Sequence, residues 1–228
     1  MLLWKKKGSE RPMKLQKVTL TTSKPEELLA FYTQVLHMPL IESTPRSFAV
    51  SVGEATLAFQ RAEQKPFYHF ACGIAERAFD SYAEAIRQRG IVLRSKDGQE
   101  VMQSYTWKGK QLYFADPEGN ILELLAFPTE AKTDWLSIQE VGMPVPDVAA
   151  FAASLAPIPS EFEAESEVFR FYGDQDGVLV LVKANRPWYP TDRGATIHPI
   201  AIELAPEPER GQQGLVHTSP PLPYRIVC

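Results

Sequence analysis

The sequence predicts an α+β protein made of repeated strand-helix-strand units, and three observations carry that reading. Segments of alternating polar and apolar residues are separated by stretches whose apolar residues fall at helical spacing. The order strand, helix, three strands (βαβββ) recurs between Lys17 and Phe127. Related segments then return at an offset of about 122 to 129 positions: Lys17-Val18-Thr19-Leu20 with Glu140-Val141-Gly142-Met143, Leu57–Ala62 with Leu179–Ala184, and Tyr68-His69-Phe70-Ala71 with the segment around His198. The expected organisation is four βαβββ modules in two similar halves, 13–128 and 135–228, with the last module truncated and residues 1–12 as an N-terminal extension.

Taken in order, Lys17–Thr21 alternates as a half-buried strand does. Ser23-Lys24-Pro25-Glu26 has the form of a capping box with proline in the first turn, a cap being worth about 1 kcal/mol. Leu28, Phe31, Tyr32, Val35 and Leu36 make a helical stripe, and strands are expected near Leu40, at Ser47–Val52 and at Ala55–Gln60. The second module opens with a strand at Tyr68–Ile74. Its helix is marked by Phe79, Tyr82, Ala83 and Ile86 and stopped by Gly90. Strand candidates follow at Ile91–Leu93, Gln99–Trp107, Gln111–Phe114 and Ile121–Phe127. In the second half, Gln139–Met143 leads into a helix start at Pro146-Asp147. A strand is expected over Thr196–Ala201, a loop over Ala205–Pro223 and a short strand at Tyr224–Val227.

At 228 residues the chain can bury a sizeable core. A net charge of −4 offers no electrostatic basis for a nucleic-acid or acidic-membrane partner. No apolar run is long enough to span a bilayer, and the first residues lack the long apolar stretch of a secretory signal. Cys72 reads as core and Cys228 ends the chain. The pair makes no disulfide framework, which fits a reducing, cytoplasmic setting.

The chemistry concentrates around Asp116-Pro117-Glu118-Gly119-Asn120-Ile121-Leu122-Glu123-Leu124. This is a tight turn feeding an aliphatic strand that carries one carboxylate. A carboxylate buried there costs free energy unless it is paired, hydrogen-bonded or metal-bound. Alternation puts Val18, Phe70 and Leu122 on the faces that pack against helices, and Lys17, His69 and Glu123 on the opposite face. On a curled sheet those three are expected to converge in a cleft, which Tyr105, Trp107 and Tyr113 are placed to line. His37 and His217 are expected in solvent, and Trp188-Tyr189-Pro190 in a packed loop.

At these residues the chain resembles the vicinal oxygen chelate superfamily, which includes glyoxalase I, extradiol ring-cleaving dioxygenases and the fosfomycin- and bleomycin-resistance proteins. The resemblance covers residues 14–127. It rests on the Phe31-Tyr32 helix ending in Val35-Leu36, the His69-Phe70-Ala71 strand, and Tyr113–Asn120 leading to Glu123. It implies modules paired into half-open barrels around a divalent metal (Fe, Mn, Ni or Zn), with His69 and Glu123 at ligand positions. The metal in such sites acts as a Lewis acid on two neighbouring oxygens of a small-molecule substrate.

The chain departs from that pattern at Lys17, which stands at the first ligand position and, protonated, has no lone pair to donate. Its ammonium is expected to neutralise Glu123 or to act in the site beside His69. In the second half, Glu140 and His198 are expected to bond to each other. The resemblance also allows modules to pair crosswise, within one chain or between the subunits of a homodimer. Pairing the second module with the third brings Glu140 to His69 and Glu123, a set of one imidazole and two carboxylates suited to a hard or borderline ion. Two functions follow from the resemblance. One is a glyoxalase- or dioxygenase-like enzyme acting on a small oxygen-bearing metabolite, with Lys17, His69 and Glu123 as catalytic residues. The other is a metal-free binding or sequestering protein of the bleomycin-resistance type.

Overall fold

The computed structural model describes residues 13–156, 158, 160–162, 166–205, 216–218 and 220–228. The N-terminal extension and residues 206–215 of the expected Ala205–Pro223 loop lie outside the described residues.

Four successive groups of strands build two open sheets. The first group contains β1 (Leu15–Thr22), α1 (Pro25–Ala30), β2 (Leu40–Thr44), β3 (Ser47–Val52) and β4 (Ala55–Arg61), with a π-helical turn over Phe31–Val35 continuing α1. The second contains β5 (His69–Ala75), α2 (Glu76–Gln88), β6 (Val92–Leu93), β7 (Val101–Gln103), β8 (Lys110–Ala115) and β9 (Ile121–Phe127). The third contains β10 (Trp135–Val145), α3 (Val148–Ser154), β11 (Phe169–Asp174) and β12 (Gly177–Lys183). The fourth contains β13 (Ile200–Leu204), β14 (Val216–Thr218) and β15 (Tyr224–Val227).

The first sheet runs β14-β15-β13-β1-β4-β3-β2, joining the first and fourth groups. The second runs β11-β12-β10-β5-β9-β8-β6, with β7 paired to β8, and joins the third group to the second. Each sheet therefore takes strands from both 13–128 and 135–228, and the pairing is crosswise. This overturns the expected meeting of Lys17 with His69 and Glu123, because β1 lies in the first sheet and β5 and β9 lie in the second.

The main core forms where the helices and the inner faces of both sheets meet. Val18, Leu20, Leu28, Tyr32, Phe59, Phe70, Phe79, Leu122 and Phe151 are buried there together, on the faces that alternation assigns to the helices. Trp135 of β10 joins the second sheet to the end of the π-helical turn by donating its indole N–H to Leu36 O at 2.8 Å. Cys72 lies in this core, and burial pushes its thiol up to about 12. Among the described residues no helix is long and apolar enough to cross a membrane.

Three local expectations are corrected. The Ser23–Glu26 capping box does not form, since the helix start has no side-chain cap from its own segment and Glu26 pairs with Arg61 instead. Glu118 takes over that role from the turn before β9. Its carboxylate accepts from Ser23 N at 2.9 Å, Ser23 Oγ at 2.6 Å, Lys24 N at 3.2 Å and Thr22 Oγ1. A fully buried carboxylate is stable there because it answers orphan backbone donors at the positive end of a helix. The Gln99–Trp107 segment keeps only Val101–Gln103 as strand, and the final-group strand begins at Ile200, leaving His198 ahead of it.

The Asp116–Asn120 turn ties the second sheet to α1. Asp116 accepts from Gly119 N, Asn120 N, Asn120 Nδ2 and the Tyr32 hydroxyl at 2.8–3.1 Å, and Asn120 Oδ1 accepts from Tyr68 N at 2.9 Å. Gly119 has φ +89°, the left-handed conformation that a residue without Cβ adopts at no steric cost.

Candidate metal centre and cleft

The register of the second sheet sets Glu140 of β10, Ala71 of β5, Glu123 of β9 and Tyr113 of β8 in one row. Opposed residues share a face, so all four point to the side away from the helices. Ala71 leaves space between the two glutamates. His69, two residues earlier on β5 and so on the same face, reaches into that space.

A β-bulge decides that Glu140 takes part. Ile138 pairs with Cys72 and Glu140 with Ala71, so two residues of β10 oppose one step of β5. Ile138 packs into the main core. By simple alternation Glu140, two residues on, would follow it there, and the extra residue turns it onto the cleft face. The first sheet carries the same shift, with Leu15 opposite Leu204 and Lys17 opposite Glu203. Lys17 thus holds in the first sheet the register position that Glu140 holds in the second. Its ammonium lies 3.6 Å from Glu203, and both side chains are more than a third exposed. Lys17 takes no place beside His69 or Glu123.

His69, Glu123 and Glu140 are each about 95% buried and offer ligand atoms that lie within 4.8 Å of one another. Among the described residues they are the one such group of three. His69 Nε2 is 4.0 Å from Glu123 Oε2 and 3.8 Å from Glu140 Oε2, too far for hydrogen bonds. The indole N–H of Trp107 donates to Glu140 Oε1, leaving Oε2 on the side of His69. Burial holds the Glu123 carboxyl well above the usual carboxylate range; the Glu140 charge adds to the rise, and a hydrogen bond from Tyr113 opposes it. Burial likewise raises the Tyr113 hydroxyl, so it stays protonated as a donor.

These residues fit a divalent cation. Two buried carboxylates and an imidazole nitrogen face one another with no direct bond between them. Ligand bonds of about 2.0–2.2 Å span separations like 3.8 and 4.0 Å. One nitrogen and two carboxylate oxygens suit borderline or hard ions.

The group forms the floor of a cleft of about 590 Å³ with aromatic walls. His69 packs against the ring of Trp188, with centroids 4.7 Å apart, and that of Tyr113, at 6.3 Å. Trp107 and Tyr113 line the cleft as expected from sequence, and Tyr105 stands almost fully exposed at its rim. Trp188 and Tyr189 also line it, so the segment read as plain loop packing is part of the site. One signal for Trp188 was present in the sequence. Gly142 interrupts a strand, which marks a close approach, and a Cβ there would meet the Trp188 ring at 2.7 Å. His198 does not bond Glu140. It shares a hydrogen bond with Thr196 Oγ1 at 2.8 Å and sits edge-on to Tyr68.

Residues 14–124 match the family described as Glyoxalase/Bleomycin resistance protein/Dioxygenase superfamily. A search of curated proteins finds no match. Among solved structures, a protein of Bacillus subtilis strain 168 provisionally named a dioxygenase aligns with a TM-score of 0.60 at 16% identity, covering 85% of this chain and 70% of that one. Glyoxalase I from Zea mays aligns with a TM-score of 0.55 at 15% identity, covering 84% of this chain and 74% of that one. At these identities the likeness is one of fold, and it extends over both halves. The expected resemblance to the vicinal oxygen chelate superfamily is borne out over residues 14–124.

Proposed function

We propose that the protein is a metal-dependent enzyme of the glyoxalase or ring-cleaving-dioxygenase kind, acting in the second-sheet cleft on a small molecule with two neighbouring oxygens. One observation carries this reading: His69, Glu123 and Glu140 bring one imidazole and two carboxylates together, buried, and among the described residues no arginine or lysine pairs with either carboxylate. Buried carboxylates in that state cost several kcal/mol each unless a proton or cation compensates them, to order of magnitude. His69, Glu123 and Glu140 are the residues that would hold the ion. A divalent ion there (Fe, Mn, Ni or Zn) supplies Lewis-acid polarisation of substrate oxygens.

The side chains around the floor have separable tasks. Trp107 fixes Glu140 through Oε1. The Tyr113 hydroxyl holds its proton and donates toward Glu123. Trp188 and Tyr113 pack their rings against His69 and help to orient it.

The test is metal analysis of protein purified without chelator, then reconstituted with Fe, Mn, Ni or Zn. About one equivalent of ion in the wild type, lost in His69→Ala and in Glu140→Gln, is the expected result. A protein that takes up none of these ions would overturn the reading in favour of a metal-free binding protein.

A further inference from the structure

We infer that the cleft is built for a flat aromatic ligand carrying an anionic group, and that Arg186 recognises that group. This rests on the cleft being the functional site and adds the class of molecule it admits.

The inference starts from the segment 185–195, which folds back on itself beside the cleft. Asn185 N donates to Ala195 O at 2.8 Å, Ala195 N to Arg186 O at 2.8 Å, and Trp188 N to Arg193 O at 2.9 Å. Arg193 fastens the loop to the second sheet: its Nη1 donates to Gly119 O at 2.6 Å, and its guanidinium lies 3.5 Å over the Phe67 ring. What the segment presents is therefore held in place. Arg186 and Trp188 are two residues apart in this extended stretch, so both side chains fall on one side of it. Both line the cleft.

Arg186 is the one arginine or lysine among the described residues lining that cleft. Arg61, Arg77, Arg87 and Arg94 all pair with carboxylates, and Arg186 pairs with none among the described residues. Its protein contacts are a long 3.5 Å bond to Pro187 O and the face of Phe169, 5.0 Å away, which orients the guanidinium. The carboxylate of Asp97, also on the rim, is already bonded by Ser95 Oγ at 2.6 Å and Gln99 Nε2 at 2.9 Å. A planar guanidinium with its donors uncommitted at the mouth of a cleft matches a carboxylate or phosphate bidentately.

The walls specify the body of the ligand. Trp107, Tyr113, Phe169, Phe171, Trp188 and Tyr189 surround the space, and aromatic faces and edges are complementary to a planar ring. The volume of about 590 Å³ is that of a small-molecule site.

The experiment is a fluorescence titration of metal-free and Mn-loaded protein, read from tryptophan quenching. It uses three probes: 3,4-dihydroxybenzoate, uncharged catechol, and the anionic but non-aromatic cyclohexanecarboxylate. The wild type is expected to bind 3,4-dihydroxybenzoate about tenfold or more tightly than either of the others, the scale of one charge-assisted hydrogen-bonded pair. Arg186→Met is expected to reduce its affinity for 3,4-dihydroxybenzoate to that for catechol, and Arg186→Lys to retain part of the preference. Equal binding of the three probes, no binding of 3,4-dihydroxybenzoate, or a preference that survives Arg186→Met would each overturn the inference. Failure of the metal reading shows separately, as absence of ion uptake, while the anion preference is read in the metal-free protein.

Discussion

His69 Nε2 and Glu140 Oε2 lie 3.8 Å apart, on neighbouring strands from different halves of the chain. Their meeting depends on antiparallel pairing of β5 with β10 and on one extra residue in β10. With Glu123 on the other side of β5, they make a donor set that neither half supplies alone.

Trp107 acts on this set through Glu140, without being a ligand itself. Trp107→Phe keeps the aromatic packing against Phe127 and removes the N–H. We expect metal affinity to fall by about 10- to 100-fold, as for other outer hydrogen bonds to metal ligands, in calorimetric titrations with Mn or Zn. Unchanged affinity would show that Glu140 needs no such fixing.

Lys17 provides the contrast. It pairs with Glu203 at 3.6 Å on the other sheet, with both side chains partly in solvent. Lys17→Met is expected to change stability by no more than about 0.5 kcal/mol and to leave metal uptake as it was. A metal-binding defect in this variant would show that the two sheets communicate.

Glu118 is expected to matter for folding and not for chemistry. Its carboxylate meets donors from Thr22, Ser23 and Lys24 at the start of α1 while its own turn leads into β9. Glu118→Gln replaces an acceptor pair by an amide that must present its NH2 to some of those donors. A loss of about 2–4 kcal/mol in urea unfolding is expected, the range for charge-assisted bonds broken in a buried site.

Asp116 imposes a pH dependence. Burial raises its carboxyl from 3.8 to about 6, against the bonds from Asn120, Tyr32 and Gly119 that lower it. The native state therefore holds this proton at pH values where the unfolded chain has released it. Its contribution to stability falls as pH rises from 3.8 to about 6 and stays low above that. The loss is on the order of 1–3 kcal/mol. Thermal melts of the wild type and Asp116→Asn across pH 4–7 should differ in slope, the variant lacking this decline. Parallel curves would mean that the four hydrogen bonds offset burial and keep the group ionised.

Much of the fold was legible because it is local. The Asp-Pro-Glu-Gly-Asn turn, the aliphatic strand after it and the helical stripe from Leu28 to Leu36 follow from residue chemistry within a few positions. The facing of His69 and Glu123 away from the helices was legible for the same reason, since alternation is a property of one strand. Glu140 was a candidate through crosswise pairing, but the bulge at Gln139 that aims it has no signature in an unaligned strand. The capping box failed because Ser23 and Glu26 satisfy a local pattern while Glu118, remote in sequence, supplies a better-placed carboxylate. Trp188 reads as loop packing and Arg186 carries no signal, because a loop's side chains acquire a common purpose only once the loop is laid over a sheet.

The sequence by itself determined most of the strands and helices, the facing of His69 and Glu123, and the buried carboxylate at Glu123 that needed a partner. Only the tertiary structure decided the partner. It separated Lys17 into one sheet, brought Glu140 into the other, and set Arg186 and Trp188 along the cleft. The reason is physical: period and turn chemistry act over a few residues, whereas strand pairing is chosen by burial of whole sheet faces among segments far apart in the chain.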